Sequence, residues 1–357
     1  MSGRFFLNGF YISLLLLAAC ALGFWFLFSC ETTGKYEKIL GPVEAEPEVS
    51  QNAPAGQPEK TPPADSDKSP GELDDDARAR ELAEFMKKLV PLHKPLGKPG
   101  KSDWLSHHSE PGQTFEQYIA CNPERPAGNR SFIYVQPLGD FSKTEKKIIL
   151  LTAKFMTYYF NLQIKLCKNL PLSTIPKSAR RVHPKWKDKQ ILAPYILDYV
   201  LRPRLPDDAM AYIAFTNSDL WPGEGWNFVY GLASLRHRVG VWSIYRNGDP
   251  DESDESFRLC PLRTIKMASH ETGHMFSMKH CIKYECNMCG CNNRTESDRL
   301  PLALCPECTA KICWATKTNP LSRYRQLSKF CGKNGLEKEK KFYEKSANIL
   351  KTIAIKQ

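Results

Sequence analysis

Residues 264–280 read TIKMASHETGHMFSMKH, and this stretch decides the kind of fold that the chain can adopt. Gly273 is the only helix-breaking residue before residue 279, and Pro261 lies just upstream, where a helix tolerates proline near its start. The stretch therefore predicts a helix over residues 264–279.

The histidines of this stretch have the spacing of metal ligands. His270 and His274 are four residues apart, so on a helix they share one face and can bind one ion. Glu271 projects beside them, where it can accept a proton from water. His280 is too far along for the same face, so the helix must end and the chain must turn back. Three imidazoles leave one position open, which is the catalytic arrangement of zinc. HExxH alone also occurs by chance in pairs of surface histidines, but the third histidine favours a metal site.

Strand and helix patterns surround the predicted helix. Runs of β-branched, aromatic or alternating residues predict strands, and residues 142–160 have helical spacing after Ser142 as an N-cap. The predicted strands are residues 131–135, 162–166, 211–215, 227–230 and 239–245. Another helix is expected over residues 78–89. The pattern predicts an α/β or α+β domain with a mixed, twisted sheet.

The N-terminus differs in composition from the rest of the chain. Residues 10–29 are apolar and uncharged and follow Arg4, which suits a membrane-spanning helix. A cleaved signal and a lipoprotein site at Cys20 or Cys30 are alternatives. Arg4 favours a catalytic domain outside the cytoplasm, whereas reduced thiolates favour a reducing compartment. We expect the domain to lie outside, because bound zinc protects thiolates.

Composition divides the chain into four parts. Residues 42–76 are rich in Pro, Ser, Asp and Glu and cannot bury enough apolar surface to fold. We expect an anchor or signal segment (1–30), a disordered linker (31–77), a catalytic domain (78–332) and a basic tail (333–357). The net charge of +11 is spread out without an arginine-rich stripe, so it indicates solvated surface charge and no nucleic-acid partner is expected.

The histidine stretch resembles a known family. His270 to His280 is similar to the long metzincin motif HExxHxxGxxH, with Ser277 in place of the motif glycine. The cysteines and methionine that follow resemble the archaemetzincin branch, and so do residues 102–104, 226–231 and 296–299. The resemblance covers residues 102–325. It implies a metzincin-like metalloprotease domain with an active-site helix and a cysteine-rich zinc-binding C-terminal subdomain. It also implies that Met288 lies beneath the metal, although an ordinary core methionine is the alternative.

Thirteen cysteines occur in the chain, and seven of them lie in residues 281–313. Such clustering indicates metal ligands more than a disulfide framework, although disulfides stay an alternative. Four of them suit a closed tetrahedral structural zinc site and match the family pattern: Cys281, Cys286, Cys305 and Cys308. The other three, which are spare ligands, a disulfide or inert thiols, are Cys289, Cys291 and Cys313.

The resemblance implies a function. We expect two zinc ions per chain, one catalytic and one structural, and cleavage of peptides, as an aminopeptidase or on small peptides. Residues 231–235 resemble the edge strand on which metzincins bind substrates through main-chain hydrogen bonds. A glycine at position 277 would adopt positive φ freely, so Ser277 favours an alternative, a zinc-stabilised scaffold domain with weak catalysis. The intact Glu271 favours the enzyme.

Overall fold

The computed structural model describes residues 70–234 and 237–354. The predicted anchor or signal segment, residues 1–30, lies outside these residues. Most of the predicted linker also lies outside them. Among the described helices, none combines the length and the apolar character that crossing a membrane requires.

A five-stranded mixed sheet forms the centre of the domain, in the order β2-β1-β5-β8-β7. Neighbouring strands are parallel except for β7, which pairs antiparallel with β8 at one edge. A second sheet of three strands has the order β3-β4-β6. The strands are β1 Phe132–Leu138, β2 Gln163–Leu166, β3 Arg180–Val182, β4 Lys189–Leu192, β5 Ala209–Thr216, β6 Asp219–Trp221, β7 Gly231–Ser234 and β8 Val239–Ser243. The prediction of a mixed sheet is confirmed.

Helices cover the sheet and build the C-terminal part of the domain. The α-helices are α1 Pro70–Leu89, α2 Trp104–His107, α3 Phe115–Ala120, α4 Lys143–Phe160, α5 Ala193–Tyr195, α6 Asp254–Met275, α7 Arg294–Arg299, α8 Pro306–Ala315, α9 Pro320–Lys333 and α10 Glu337–Ala354. A π-helical turn, Ile196–Leu201, continues α5. The 3-10 turns are Val90–Leu92, Leu172–Thr174, Lys177–Ala179, Arg202–Arg204 and Tyr245–Asn247.

The crossover from β1 through α4 to β2 is the part that local sequence signals define best. Ser142 caps α4: its side chain accepts a hydrogen bond from the Glu145 backbone N–H, and the Glu145 carboxylate accepts one from the Ser142 N–H. Asn161 ends the helix in the left-handed conformation at φ 52°. The helix predicted over residues 142–160 is confirmed, as is the strand predicted over residues 162–166.

Two hydrophobic cores lie on opposite faces of the main sheet. Side chains that alternate along β5 contribute to both cores. Ile213 and Phe215 join the core that contains α4 and α6. Tyr212 and Ala214 point to the other face, where residues 193–201 and the small sheet pack. The buried strand and its helices therefore fix the position of α6.

Three sequence predictions about element bounds are wrong. Pro261 lies inside α6, which begins at Asp254 after the N-cap Ser253 and ends at Met275, before the predicted end at residue 279. Tertiary packing therefore accepts a helix with one lost backbone hydrogen bond. Pro137 lies within β1, where its carbonyl accepts a hydrogen bond from the Leu170 N–H (2.9 Å). Residues 227–230 form no strand and contribute one isolated bridge, from Val229 to Leu220.

The predicted domain limits also need correction at both ends. Residues 70–77, which were assigned to the linker, belong to α1, and Asp75 forms an ion pair with Arg125 (2.6 Å). Acidic residues near the start of α1 suit the positive end of the helix dipole. Residues 337–354 of the predicted tail form α10, whose Tyr343 and Leu350 are buried in the main core. Its lysines lie on the outer face of an amphipathic helix, which composition alone does not reveal.

Candidate metal centre and active site

The end of α6 turns the chain back toward the histidines. The Ser277 N–H donates to the His274 carbonyl (2.8 Å), and the Met278 N–H donates to the Gly273 carbonyl (3.3 Å). Ser277 has φ 62°, so these bonds form a Schellman motif with a serine at the left-handed position. The Ser277 hydroxyl accepts a hydrogen bond from the Glu124 N–H (3.0 Å). This turn lets the chain return to the helix face.

The three histidines of the motif meet beyond this turn. His270, His274 and His280 bring one ring nitrogen each within 4.8 Å of one another. The Nε2 atoms of His270 and His274 are 3.0 Å apart. Burial lowers the pKa of His270 to about 3 and holds that of His274 well below its usual range, so both rings are neutral at pH 7. Neutral imidazoles are the form that binds a metal ion.

The other ring nitrogen of each histidine has an acceptor of its own. His270 Nδ1 lies 2.7 Å from the Asn287 carbonyl, and His274 Nδ1 lies 2.6 Å from the Met278 carbonyl. His280 Nδ1 lies 2.7 Å and 3.0 Å from the two carboxylate oxygens of Glu110. Acceptors at Nδ1 place the proton there and leave the Nε2 lone pair for a metal ion.

Glu271 lies next to the first histidine and is partly buried. Burial raises the pKa of its carboxyl group to about 7, and the electrostatic effect of the nearby His280 acts in the opposite direction. Among the described residues the Glu271 carboxylate has no hydrogen-bond partner. It is therefore a carboxylate whose proton affinity suits proton transfer near neutral pH.

Met288 packs directly against the helix that carries the histidines. A Cβ atom at Gly273 would lie 2.7 Å from the Met288 sulfur, so only glycine allows this approach. The Met288 carbonyl also accepts a hydrogen bond from the Cys281 N–H (2.8 Å), and the Met288 N–H points to the Cys286 sulfur (3.4 Å). Met288 thus connects the histidine cluster with the cysteines.

Four buried cysteines form a second cluster. The sulfur atoms of Cys281, Cys286, Cys305 and Cys308 all lie within 4.8 Å of one another, and none is in a disulfide. The sulfur atoms of Cys281 and Cys305 are 3.7 Å apart, well beyond the length of an S–S bond. The Cys305 N–H points to the Cys286 sulfur (3.2 Å). Cys305 and Cys308 lie at the start of α8, where the helix dipole favours thiolates. Four such sulfurs fit a tetrahedral zinc site.

The three remaining cysteines of this region are free thiols. Cys289 is buried and donates to the Tyr284 carbonyl (3.2 Å), and Cys291 is half-buried. Cys313 is buried on α8. Within the described part of the chain, none of the three takes part in a disulfide.

The edge strand expected beside the helix is β7. It closes the main sheet at one side and packs against α6. Residue 235, the last of the predicted strand, lies outside the described residues. An edge strand has free main-chain groups with which an extended peptide can pair.

Two of the segments that resemble the family contact one another. The Trp104 N–H donates to Glu296 (2.9 Å), and Asp103 forms an ion pair with Arg299 (2.9 Å). The sequence pattern identified these segments, but it did not predict that Glu110 and Asn287 contact the histidines. Glu110 is separated from His280 by 170 residues, and neither spacing nor periodicity connects two positions so far apart.

The chain is similar to several known proteins. The sequence profile of peptidase family M54 matches residues 160–313. Archaemetzincin-2 of Homo sapiens is 33% identical over 270 residues, 67% of this chain and 72% of the relative. Archaemetzincin-2 of Rattus norvegicus is 31% identical over 280 residues, which are 68% of this chain and 77% of that relative. The crystal structure of archaemetzincin from Archaeoglobus fulgidus, complexed with malonate, is 28% identical and covers 50% of this chain and 99% of that one, with a TM-score of 0.39.

The class of protein follows from these matches together with the two clusters: it is a zinc metallopeptidase. Within that class, the chain belongs to peptidase family M54, the archaemetzincins.

Proposed function

We propose that the chain hydrolyses peptides with zinc held by His270, His274 and His280 and with Glu271 as the general base. The observation that carries this proposal is the set of three histidine ring nitrogens within 4.8 Å of one another, while the Nδ1 of each ring has its own acceptor. The donor set fits zinc, because three imidazoles leave a fourth position open. Zinc bound there would polarise a carbonyl group and lower the pKa of water toward about 7.

The role of Glu271 follows from its place and its proton affinity. A cation at the histidines favours the ionised carboxylate, which offsets the effect of burial. The carboxylate then accepts a proton from the attacking water and returns it to the leaving amine. No described residue forms a hydrogen bond with this carboxylate, so it is available for both steps.

The four cysteines Cys281, Cys286, Cys305 and Cys308 would hold a second zinc ion in a structural site. Closed tetrathiolate sites supply folding free energy and leave no position for a substrate. This site would stabilise the loop that carries His280.

For the substrate we propose short peptides with a free N-terminus, as the resemblance to the family implies. A peptide would pair with β7 through main-chain hydrogen bonds. Peptides that differ only by N-acetylation test the preference: an aminopeptidase cleaves the free peptide and leaves the acetylated one intact. Equal cleavage of both would contradict the aminopeptidase and leave general peptide hydrolysis.

Glu271→Gln tests the mechanism. The amide matches the carboxylate in shape but does not accept a proton at neutral pH, so we expect a loss of about 10²–10⁴-fold in kcat. Zinc content and melting temperature should stay at the parental values. His274→Ala is the matched control, since it should lose the histidine-bound zinc and keep the cysteine-bound zinc.

The outcomes separate the enzyme from a scaffold. Equal turnover by the parent and Glu271→Gln would contradict the assigned base. A parent with both zinc ions that cleaves no peptide of a broad library would favour the scaffold domain.

A further inference from the structure

Glu110 touches the third histidine from a segment far away in the sequence. Both of its carboxylate oxygens lie within 3.0 Å of His280 Nδ1, and one also accepts a hydrogen bond from the Trp104 indole N–H. We propose that Glu110 is the positioning residue of His280, and that residues 102–114 are therefore part of the metal centre. This inference rests on the proposal that the three histidines hold zinc.

His280 differs from the other two histidines in the kind of support that it has. His270 and His274 lie on α6. The Nδ1 atom of His270 faces the backbone carbonyl of Asn287, and that of His274 faces the backbone carbonyl of Met278. His280 lies beyond the helix, and its acceptor is a carboxylate from another part of the chain. A charged acceptor makes a stronger hydrogen bond than a carbonyl and raises the basicity of the ring as a ligand.

The segment that carries Glu110 is fixed at both of its ends. At its start, the Asn293 side chain donates to the Ser102 carbonyl (3.1 Å), and Trp104 is held by Glu296. At its end, the Gln113 side chain accepts from the Lys279 N–H (3.1 Å) and donates to the Ser277 carbonyl (3.3 Å). Gln113 therefore contacts the loop just before His280.

Trp104 fills the space between Glu110 and the turn at Met288. A Cβ atom at Gly290 would lie 2.5 Å from the Trp104 ring, so the ring lies directly against the backbone there. The rings of His280 and Trp104 form a T-shaped pair with 5.4 Å between centroids, and His108 stacks on Trp104 at 3.8 Å. The indole N–H directed at Glu110 then orients the carboxylate toward His280.

The location of Glu110 determines which fragments of the chain contain the complete site. The family profile matches residues 160–313, so Glu110 lies outside the matched region. A fragment that starts at β1 would keep every proposed ligand and lose the residue that orients one of them.

The test uses the full chain with Co²⁺ as a spectroscopic probe and Zn²⁺ in competition with a chelator. Glu110→Ala should bind zinc at the histidines about 10–100-fold more weakly, which is the usual effect of removing such a partner. Glu110→Gln keeps an acceptor oxygen without the charge, so its affinity should lie between those of the parent and the alanine variant. The Co²⁺ absorption bands of the histidine site should shift in both variants, whereas the cysteine site should fill as in the parent.

Glu116→Gln is the matched control, because this glutamate is exposed on the neighbouring α3 and should leave zinc affinity unchanged. Parental affinity and an unshifted spectrum in a folded Glu110→Ala would overturn the inference. If the alanine variant does not fold, Glu110→Gln decides, and parental affinity there would overturn it. A parent without zinc at the histidines would instead overturn the proposed function.

Discussion

Ser277 occupies a backbone conformation that usually needs glycine. Its φ of 62° costs a non-glycine residue about 1–3 kcal/mol. The hydroxyl group offsets part of this cost, because it accepts the Glu124 N–H at 3.0 Å, a hydrogen bond worth about 1 kcal/mol. The serine is thus compatible with the turn, and the departure from the motif does not by itself favour the scaffold domain.

The stabilities of two Ser277 variants should separate strain from hydrogen bonding. Ser277→Gly removes both, so its free energy of unfolding should stay within about 1 kcal/mol of the parent. Ser277→Ala keeps the strain and loses the bond, so it should be the least stable of the three by about 1 kcal/mol. Urea unfolding of the zinc-loaded protein measures both differences. An alanine variant as stable as the parent would show that the Glu124 contact contributes nothing.

At the scale of elements, α10 differs most from its prediction, because the sequence suggested a basic tail and the structure shows a packed helix. It packs on α9, and Tyr343 is 1% exposed. The Tyr343 hydroxyl is buried without a hydrogen-bond partner among the described residues. The ring therefore contributes through packing and not through its hydroxyl group.

Three variants of α10 test this packing. Tyr343→Ala should lower the free energy of unfolding by about 3–5 kcal/mol, as the loss of a buried aromatic ring does. Tyr343→Phe should be neutral or slightly stabilising, since it removes an unpaired polar group. Lys341→Ala, on the exposed face of the same helix, is the control. Thermal or urea unfolding reports all three, and a Tyr343→Ala variant as stable as Lys341→Ala would show that α10 is not part of the core.

Local signals predicted the elements that carry strong local chemistry. The cap at Ser142 and the alternation along β2 were sufficient, because neighbouring residues determine both. The start of α6 was missed because proline is normally tolerated only near the start of a helix, and the packing of the helix on the sheet outweighs that preference. The aromatic run at residues 227–230 looked like a strand, but its side chains pack elsewhere: Phe228 lies under the Arg246 guanidinium.

At the scale of the whole molecule, the two clusters predict two zinc ions per chain. Elemental analysis of the purified protein should give two zinc ions for the parent and one for His274→Ala. Cys305→Ser removes a ligand of the buried set, so it should lose the second zinc and melt at a lower temperature, because metal binding and folding are coupled. A single zinc per parent chain, with Cys281 and Cys305 in disulfides, would contradict the two-site arrangement.

The candidate site shows the same division between local and distant information. The residues from His270 to Cys308 lie in one short stretch, and their spacing is itself the signal. Glu110 and the Asn287 carbonyl reach the histidines only through the tertiary fold. A carboxylate distant in sequence and a backbone carbonyl have no pattern by which a sequence reveals them.

A single peptide bond separates His280 from Cys281, and this has a consequence for how fast metal ions exchange. The loop before this bond is fixed by the turn at Ser277, and the residue after it belongs to the cysteine cluster. His280 therefore swings away only when its ring rotates off Glu110 or when the cysteine cluster opens. Zinc should therefore bind to and dissociate from the histidines more slowly than its affinity alone would suggest. A chelator that removes zinc from the cysteines should accelerate its dissociation from the histidines.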